Sequence, residues 1–157
     1  MKSLILVRHA KSSWESPGLG DHDRPLNERG RHDAPKMAQR LADRQVAPDV
    51  ILASTAVRAR TTAAIFADAL GVELELDDRL YGASTTTLQR VVIEREAPSV
   101  LIVAHDPGLS MLAASLADEI THMPTCAVAR FHWNSGSWAD AFASSPDEWS
   151  FDAPRGV

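Results

Sequence analysis

The sequence predicts an α/β fold, a three-layer α/β/α sandwich with a mostly parallel central sheet. Apolar runs without polar alternation, which are typical of strands buried on both faces, occur at 4–7, 49–53 and 99–104. Segments with apolar residues at helical spacing separate these runs, so strands and helices alternate along the chain. Alternation of this kind favours a parallel sheet with helices on both of its faces.

The first strand runs directly into charged residues. Leu4 to Val7 is apolar, and Arg8-His9-Ala10 follows at once. Because open α/β sheets bind ligands beyond the carboxyl ends of their strands, this pair occupies a position where chemistry is expected. The alternative is that the pair merely ends a strand, but two later strands end in a similar way.

The composition is that of an ordinary globular protein and argues against several classes. A length of 157 residues predicts one domain, residues 1–157. The formal net charge of −5 argues against nucleic acid as a partner, because the phosphate backbone of a nucleic acid is bound by clustered Lys and Arg side chains. The single Cys126 excludes an internal disulfide and fits a reducing compartment. Because the sequence shows neither a signal peptide nor a membrane span, we expect a cytoplasmic protein with no membrane partner. The sequence does not predict the oligomeric state.

The segment 11–24 is predicted to be a loop, because it is rich in glycine, proline and polar residues. Its Asp-His-Asp cluster at 21–23 has the residue types of a metal site. Neighbouring residues of an extended segment point in alternating directions, however, so a solvated loop is expected. A helix follows, with apolar residues at helical spacing between 34 and 42, and Pro35 leaves its first residue open.

Arg58 is predicted to lie in the first turn of the next helix. The strand at 49–53 leads into Ser54, a favourable N-cap residue, and Gly71 is expected to end the helix. A cation near a helix N-terminus opposes the helix dipole, unless an anion completes the site. An arginine that points into water is the alternative, and Arg60 is expected to be one.

A third strand also ends in titratable residues. The run at 99–104 leads into His105-Asp106-Pro107. Asp106 is a preferred N-cap residue and Pro107 suits the first helical position, so a purely structural role is a strong alternative for Asp106.

The remaining predicted elements continue the alternation of strands and helices and carry no candidate catalytic residues. Strands are predicted at 72–76 and 126–133, and Ser84 is expected to cap a helix between them. The aromatic residues of the tail, Trp138, Trp149 and Phe151, are interpreted as packing groups.

Three strand ends therefore bring cations and imidazoles to one edge of the predicted sheet. Guanidinium groups suit phosphate oxygens, and a neutral imidazole among them can act as a nucleophile. In a loose phosphoryl-transfer transition state, Arg8, Arg58 and a protonated His105 would neutralise the charge on the oxygens without a metal ion. Chance convergence of these residue types is the alternative.

At these residues the sequence resembles the histidine phosphatase superfamily, which includes phosphoglycerate mutases and phosphohistidine phosphatases. The resemblance spans about residues 2–118 in three ordered blocks: Arg8-His9-Ala10 with Ser12, Trp14, Pro25-Leu26 and Gly30; Ser54 to Ala63; and Val103 to Gly108. It implies a phosphoglycerate mutase-like fold and a phosphatase without metal or cofactor, with His9 as the phosphorylated nucleophile. The residues implied to hold the phosphate are Arg8, Ser12, Arg58 and His105.

The short chain and the segment 80–84 look most like the small phosphohistidine phosphatase branch, whose substrate is a phosphohistidine protein. Glu15 stands where mutase-like members carry asparagine, and it would repel phosphate if it faced the site. The proton donor has two candidates: Asp78, in the loop before a helix, and Asp106, beside His105. We favour Asp78, because a loop leaves it freer to reach the site.

Other functions fit the same predicted site. They are a small-molecule phosphomonoesterase or mutase that acts on a phosphate ester, and a non-catalytic module that binds a phosphorylated ligand. Intact His9 and His105 favour turnover over binding alone. A nucleotide-binding domain is disfavoured, because neither G-x-G-x-x-G nor G-x-x-x-x-G-K follows a predicted strand.

Overall fold

One six-stranded sheet organises the protein in a computed structural model that describes residues 1–155. The strands are Lys2–Arg8 (β1), Val50–Ala53 (β2), Leu74–Leu76 (β3), Ser99–Ala104 (β4), Val128–Trp133 (β5) and Glu148–Asp152 (β6). Their order is β3-β2-β4-β1-β5-β6, in which the first four are parallel. β5 pairs antiparallel with β1, and β6 pairs antiparallel with β5. The mostly parallel sheet that the apolar runs predicted is confirmed.

Helices cover both faces of this sheet, as predicted. They are Glu28–Asp43 (α1), Val57–Leu70 (α2), Thr85–Arg95 (α3), Gly108–Leu116 (α4) and Trp138–Phe142 (α5). One buried cluster joins α1 and α2 to the face that carries Ile5 and Val7, and the other joins α3, α4 and α5 to the face that carries Leu4 and Leu6. No helix within residues 1–155 is long and apolar enough to cross a membrane.

Helix ends are partly as predicted. Ser84 caps α3, since its Oγ accepts a hydrogen bond from the Thr87 N–H at 3.2 Å, and Gly71 ends α2 with a φ of +67°. The prediction that Ser54 is the N-cap of α2 is wrong, because the helix begins at Val57. The Ser54 hydroxyl instead accepts from the Ala56 N–H.

Two strands are shorter than predicted, and one cap is shifted. β3 begins at Leu74 rather than at residue 72, and β5 begins at Val128 rather than at residue 126. Cys126 has a φ of +63°, outside the region that strands occupy. α4 begins after Pro107, but the Asp106 carboxylate still accepts from the Ser110 N–H at 3.0 Å and so satisfies one N–H of the first turn.

Two glycines allow the backbone to pack closely near the carboxyl ends of the strands. A Cβ on Gly30 would collide with the carbonyl oxygen of Lys11, and one on Gly108 would collide with that of Ala83. α1 therefore packs directly against the loop that follows His9.

The tail residues pack unequally. Trp138 is buried, and its indole N–H donates to the Ala97 carbonyl at 2.7 Å. Phe151 packs partly buried against the same core, as expected, whereas the Trp149 side chain is 39% exposed. The interpretation of Trp149 as a packing group is therefore only partly correct.

Candidate active site

Loops that follow three parallel strands meet at one edge of the sheet. β1 and β4 are in register at Arg8 and Ala104, and the His9 N–H donates to the Ala104 carbonyl at 3.1 Å. The His9 and His105 rings consequently lie 5.1 Å apart between centroids. β2 pairs with the other side of β4, and the Ser54 Oγ lies 2.7 Å from His105 Nε2.

His9 is buried, and its Nε2 is left available as a nucleophile. Its Nδ1 lies 2.8 Å from the Ala10 carbonyl oxygen, which can only accept, so this nitrogen carries the proton. Burial lowers the pKa of His9 to about 3, with smaller contributions from His105, Arg58 and Arg8. The imidazole is therefore neutral at pH 7, with its free lone pair on Nε2.

His105 is also buried and neutral at pH 7. Its pKa is lowered to about 4, first by burial and then by the charge of Arg58. The protonated His105 expected in the transition state therefore stays a prediction, which requires that the pKa of His105 rise when phosphate binds. Burial cannot be read from the residue's place at a strand end, which is why the sequence did not reveal the lowered pKa.

Arg58 lies in the first turn of α2, as predicted, and is held there by Asp21. Its Nη1 donates to the Asp21 carbonyl at 2.6 Å, and its Nη2 donates to Asp21 Oδ2 at 2.9 Å. The Tyr81 hydroxyl donates to the same Oδ2 at 2.7 Å. This hydroxyl, followed by Arg58, holds the pKa of Asp21 at about 2, so the carboxylate is charged.

The sequence predicted a solvated loop at 11–24, but part of this loop packs against the rest of the protein. Residues 21–23 form a single helical turn packed beside α2, and His22 Nε2 lies 2.9 Å from Thr55 Oγ1. No group of three or more His, Cys, Asp and Glu within residues 1–155 is arranged to hold a metal ion.

Arg8 approaches the same edge from β1. Its Nη1 donates to the Met123 carbonyl at 3.0 Å and lies 3.6 Å from Asp106 Oδ2. The Ser110 hydroxyl donates to the Asp106 carboxylate at 2.7 Å. Asp106 is therefore linked to the site through the guanidinium of Arg8.

Arg24 is a further cation that sequence reasoning missed. Its side chain is buried, with the guanidinium carbon 3.4 Å from the centre of the Trp14 ring. Its Nε lies 3.3 Å from Asp21 Oδ1, without hydrogen-bond geometry. Burial, and then the charge of Arg58, lower the pKa of Arg24. Trp14 belongs to the first block of the family resemblance, and it was the one signal that could have directed attention to this corner.

Buried side-chain nitrogens without a hydrogen-bond partner are concentrated at this edge. Within residues 1–155 they are Arg8 Nε, Arg24 Nε and Nη1, Arg58 Nε and His105 Nδ1. Native proteins leave few buried polar groups unpaired, so such a concentration requires a reason. A group with several acceptor oxygens and a negative charge, such as phosphate, is the kind of ligand that guanidinium and imidazole N–H groups bind.

Three other residues named from the sequence form no bond to the imidazoles within residues 1–155. Ser12 is buried and bridges to Leu26 by backbone pairing, and Asp78 and Glu15 are exposed. Within the described chain, no hydrogen bond or ion pair joins the side chain of Ser12, Asp78 or Glu15 to His9 or His105. The roles of Asp78 as proton donor and of Ser12 as phosphate ligand stay predictions, because both groups would contact the substrate rather than a histidine.

The two buried imidazoles make the protein less stable in acid. Their folded pKa values of about 3 and about 4 lie below the value of about 6.5 of an unfolded histidine. Between these limits the unfolded chain binds more protons, so the free energy of unfolding falls as the pH is lowered. From pH 7 to pH 5 we expect a loss on the order of 1–2 kcal/mol for each histidine.

Urea unfolding of the wild type and of His105→Gln at both pH values measures this effect. The variant should lose less stability on acidification than the wild type. His32→Gln, which changes an exposed histidine of α1, should follow the wild type. Equal losses in all three proteins would show that His105 is not held neutral by burial.

The fold and this edge define an α/β protein built to hold an anionic group. A family model of the histidine phosphatase superfamily (branch 1) matches residues 4–83, just over half of the chain. An uncharacterized chloroplastic protein of Arabidopsis thaliana is 31% identical over 165 residues, which cover 96% of this chain and 76% of that protein. The chain belongs to the histidine phosphatase superfamily, and it is a phosphatase.

Solved structures agree over the full length. A candidate phosphohistidine phosphatase, SixA, from Agrobacterium tumefaciens superposes with a TM-score of 0.81 at 32% identity, covering 98% of this chain and 99% of that one. A candidate SixA from Nakamurella multipartitia gives a TM-score of 0.82 at 27% identity, with 99% and 97% covered. The predicted phosphoglycerate mutase-like sandwich is thereby confirmed.

Proposed function

We propose that the protein hydrolyses phosphohistidine in a protein substrate, without a metal ion, through a phosphorylated His9. The observation that carries the proposal is the cluster of unpaired buried nitrogens around a neutral imidazole whose Nε2 is free. Residues 1–157 are proposed to act as one domain in the cytoplasm, where the single, buried Cys126 fits a reducing compartment.

The chemistry takes two displacement steps at phosphorus. The Nε2 lone pair of His9 forms a bond to phosphorus while the bond to the leaving nitrogen or oxygen breaks, and the leaving group keeps that electron pair. Water then attacks phospho-His9, returns the electron pair to Nε2 and releases inorganic phosphate. Because charge spreads over the transferring oxygens, fixed cations at Arg8 and Arg58 stabilise both transition states.

The neutral His105 serves as a hydrogen-bond donor in this scheme. Ser54 Oγ accepts from the Ala56 N–H at 3.2 Å and lies 2.7 Å from His105 Nε2. If the hydroxyl donates to Nε2, the ring proton is on Nδ1, the buried nitrogen that lacks a partner. We infer that Nδ1–H donates to a phosphoryl oxygen, and that binding of the dianion raises the pKa of His105 by charge attraction.

The preference for phosphohistidine rests on the leaving group. An alkoxide needs a proton from a nearby acid, which is typically worth about 10²–10⁴ in rate, whereas imidazole leaves readily and needs the acid less. The similarity to the Agrobacterium candidate phosphohistidine phosphatase gives further support. Small phosphate esters are the alternative substrates.

Two aspartate variants test this proposal on paired substrates. On peptides of one sequence carrying phosphohistidine or phosphoserine, we expect phosphohistidine to have the higher kcat/KM. Asp78→Asn should reduce phosphoserine hydrolysis by about 10²-fold or more and leave phosphohistidine hydrolysis nearly unchanged. Asp106→Asn should affect both substrates alike, because Asp106 acts through Arg8.

Asp68→Asn, at an exposed position of α2, is the matched control. Equal losses on the two substrates in Asp78→Asn would contradict the leaving-group argument. A selective loss in Asp106→Asn would instead make Asp106 the proton donor. A higher kcat/KM for phosphoserine would assign the enzyme to phosphate esters.

A further inference from the structure

Two adjoining cavities lie away from the candidate active site, on the face of the sheet that α1 covers. The smaller one, about 270 Å³, lies between α1 and strands β5 and β6, and the larger one, about 620 Å³, opens at the amino-terminal ends of β1 and β4. Both are lined by Arg130 and Ser150. Arg130 pairs with Ile5, four residues before His9 and therefore about 13 Å away along the strand. The cavities are thus distinct from the catalytic edge.

The smaller cavity concentrates positive charge in a protein whose net charge is −5. Its charged lining residues are Arg40, Arg44 and Arg130, against the single carboxylate of Asp152. That carboxylate is already engaged, since Arg40 Nη1 lies 3.0 and 3.1 Å from its two oxygens and Arg44 Nη1 lies 3.7 Å from one of them. Two of the three positive charges are therefore not neutralised locally.

Arg130 is without a counter-ion in the part of the chain that the structure describes. Its half-buried guanidinium makes no hydrogen bond or ion pair there. Its pKa is lowered, first by burial and then by the charge of Arg44. A partly desolvated cation beside a second cation is unfavourable, and an anion between the two would reverse the sign of that interaction. Planar guanidinium groups are suited to bind phosphate in this way.

The larger cavity has a different chemistry. Asp49, Glu148 and Ser99 line it. Carboxylates repel phosphate but accept hydrogen bonds from hydroxyl groups. Phosphate therefore belongs in the smaller cavity and a hydroxylated body in the larger one.

We propose that these cavities together bind a small sugar phosphate, with its phosphate between Arg44 and Arg130 and its hydroxylated body between Asp49 and Glu148. The site is a binding site and takes no part in phosphoryl transfer, because no histidine lines the smaller cavity within residues 1–155 and its one hydroxyl, that of Ser150, has no hydrogen-bonded base. A sugar phosphate bound here contacts α1 and β5, the elements that pack next to the start of the catalytic loop.

Calorimetric titration of the His9→Ala protein with ribose 5-phosphate tests the proposal, since this variant is expected not to hydrolyse the probe. We expect two sites. Adding Arg130→Gln should weaken one of them at least about tenfold, as expected for the loss of one charge-assisted contact. Adding Arg58→Gln should weaken the other. Adding Arg90→Gln, which removes an exposed arginine of α3 from neither cavity, should change neither site.

Inorganic phosphate is the second probe. It should bind the Arg130-dependent site at least tenfold more weakly than ribose 5-phosphate does, and equal affinity would overturn the placement of the sugar body. Binding that is unchanged by Arg130→Gln, whether at one site or at two, would overturn the proposal as a whole. Turnover by Arg130→Gln with His9 intact should equal that of the wild type, which shows that the variant is folded. Release of phosphate from the probe by His9→Ala would count against His9 as nucleophile and not against this site.

Discussion

Replacing His9 by alanine is expected to lower kcat on phosphohistidine peptide by a factor on the order of 10⁴–10⁶. The variant loses the only group proposed to form a bond to phosphorus, and water must then attack the substrate directly. His9 is a buried, neutral imidazole with a pKa of about 3 and a free Nε2, whereas Nε2 of the neighbouring His105 lies 2.7 Å from Ser54 Oγ. Phosphate release measured at pH 7 gives the rate.

His32→Ala is the matched control, because it removes an exposed imidazole from α1. Its rate should equal that of the wild type, and both variants should unfold cooperatively. A His9→Ala enzyme that kept more than about one hundredth of the activity would contradict nucleophilic catalysis by this residue.

Replacing Arg58 by glutamine should reduce kcat/KM by about 10²–10³, the usual cost of one preorganised electrostatic group. Its guanidinium is buried in the first turn of α2, held by Asp21, with its Nε unpaired. Glutamine keeps a polar side chain but removes the charge that would face the transferring oxygens. The matched control is Arg60→Gln, two residues further along α2 and exposed, which should cost little.

Metal dependence separates this account from a Lewis-acid mechanism. Wild-type turnover should be insensitive to a chelator, and magnesium should not restore Arg58→Gln. An activity that chelator abolishes and magnesium restores would show that fixed cations are not sufficient for catalysis.

The sequence was sufficient to predict the parallel part of the sheet and the convergence at its edge. Apolar runs identify β1, β2 and β4 because strands buried on both faces need apolar residues throughout. Parallel pairing then brings the carboxyl ends of these strands together, so His9, Arg58 and His105 meet without any further information. Helix boundaries followed the caps at Ser84 and Gly71 for the same local reasons.

Contacts between loops could not be predicted, since no local pattern encodes them. The pairing of Asp21 with Arg58 joins residues 37 positions apart, and the stacking of Arg24 on Trp14 depends on the path of an irregular loop. Ser54 has the residue type of an N-cap, but its hydroxyl is used by His105 once β2 and β4 have paired. The neutral state of His105 follows from burial, which only the packed structure reveals.

The central claim is that the phosphoryl group passes through His9, and trapping the phosphorylated protein tests it most directly. Mixing the enzyme with radiolabelled phosphohistidine peptide and quenching within milliseconds in alkali should leave label on the protein, because phosphohistidine survives alkali and is lost in acid. We expect acid-labile label on the wild type and on His32→Ala, and none on His9→Ala. Label of the same amount and lability on His9→Ala would place the covalent intermediate on another residue and contradict the account.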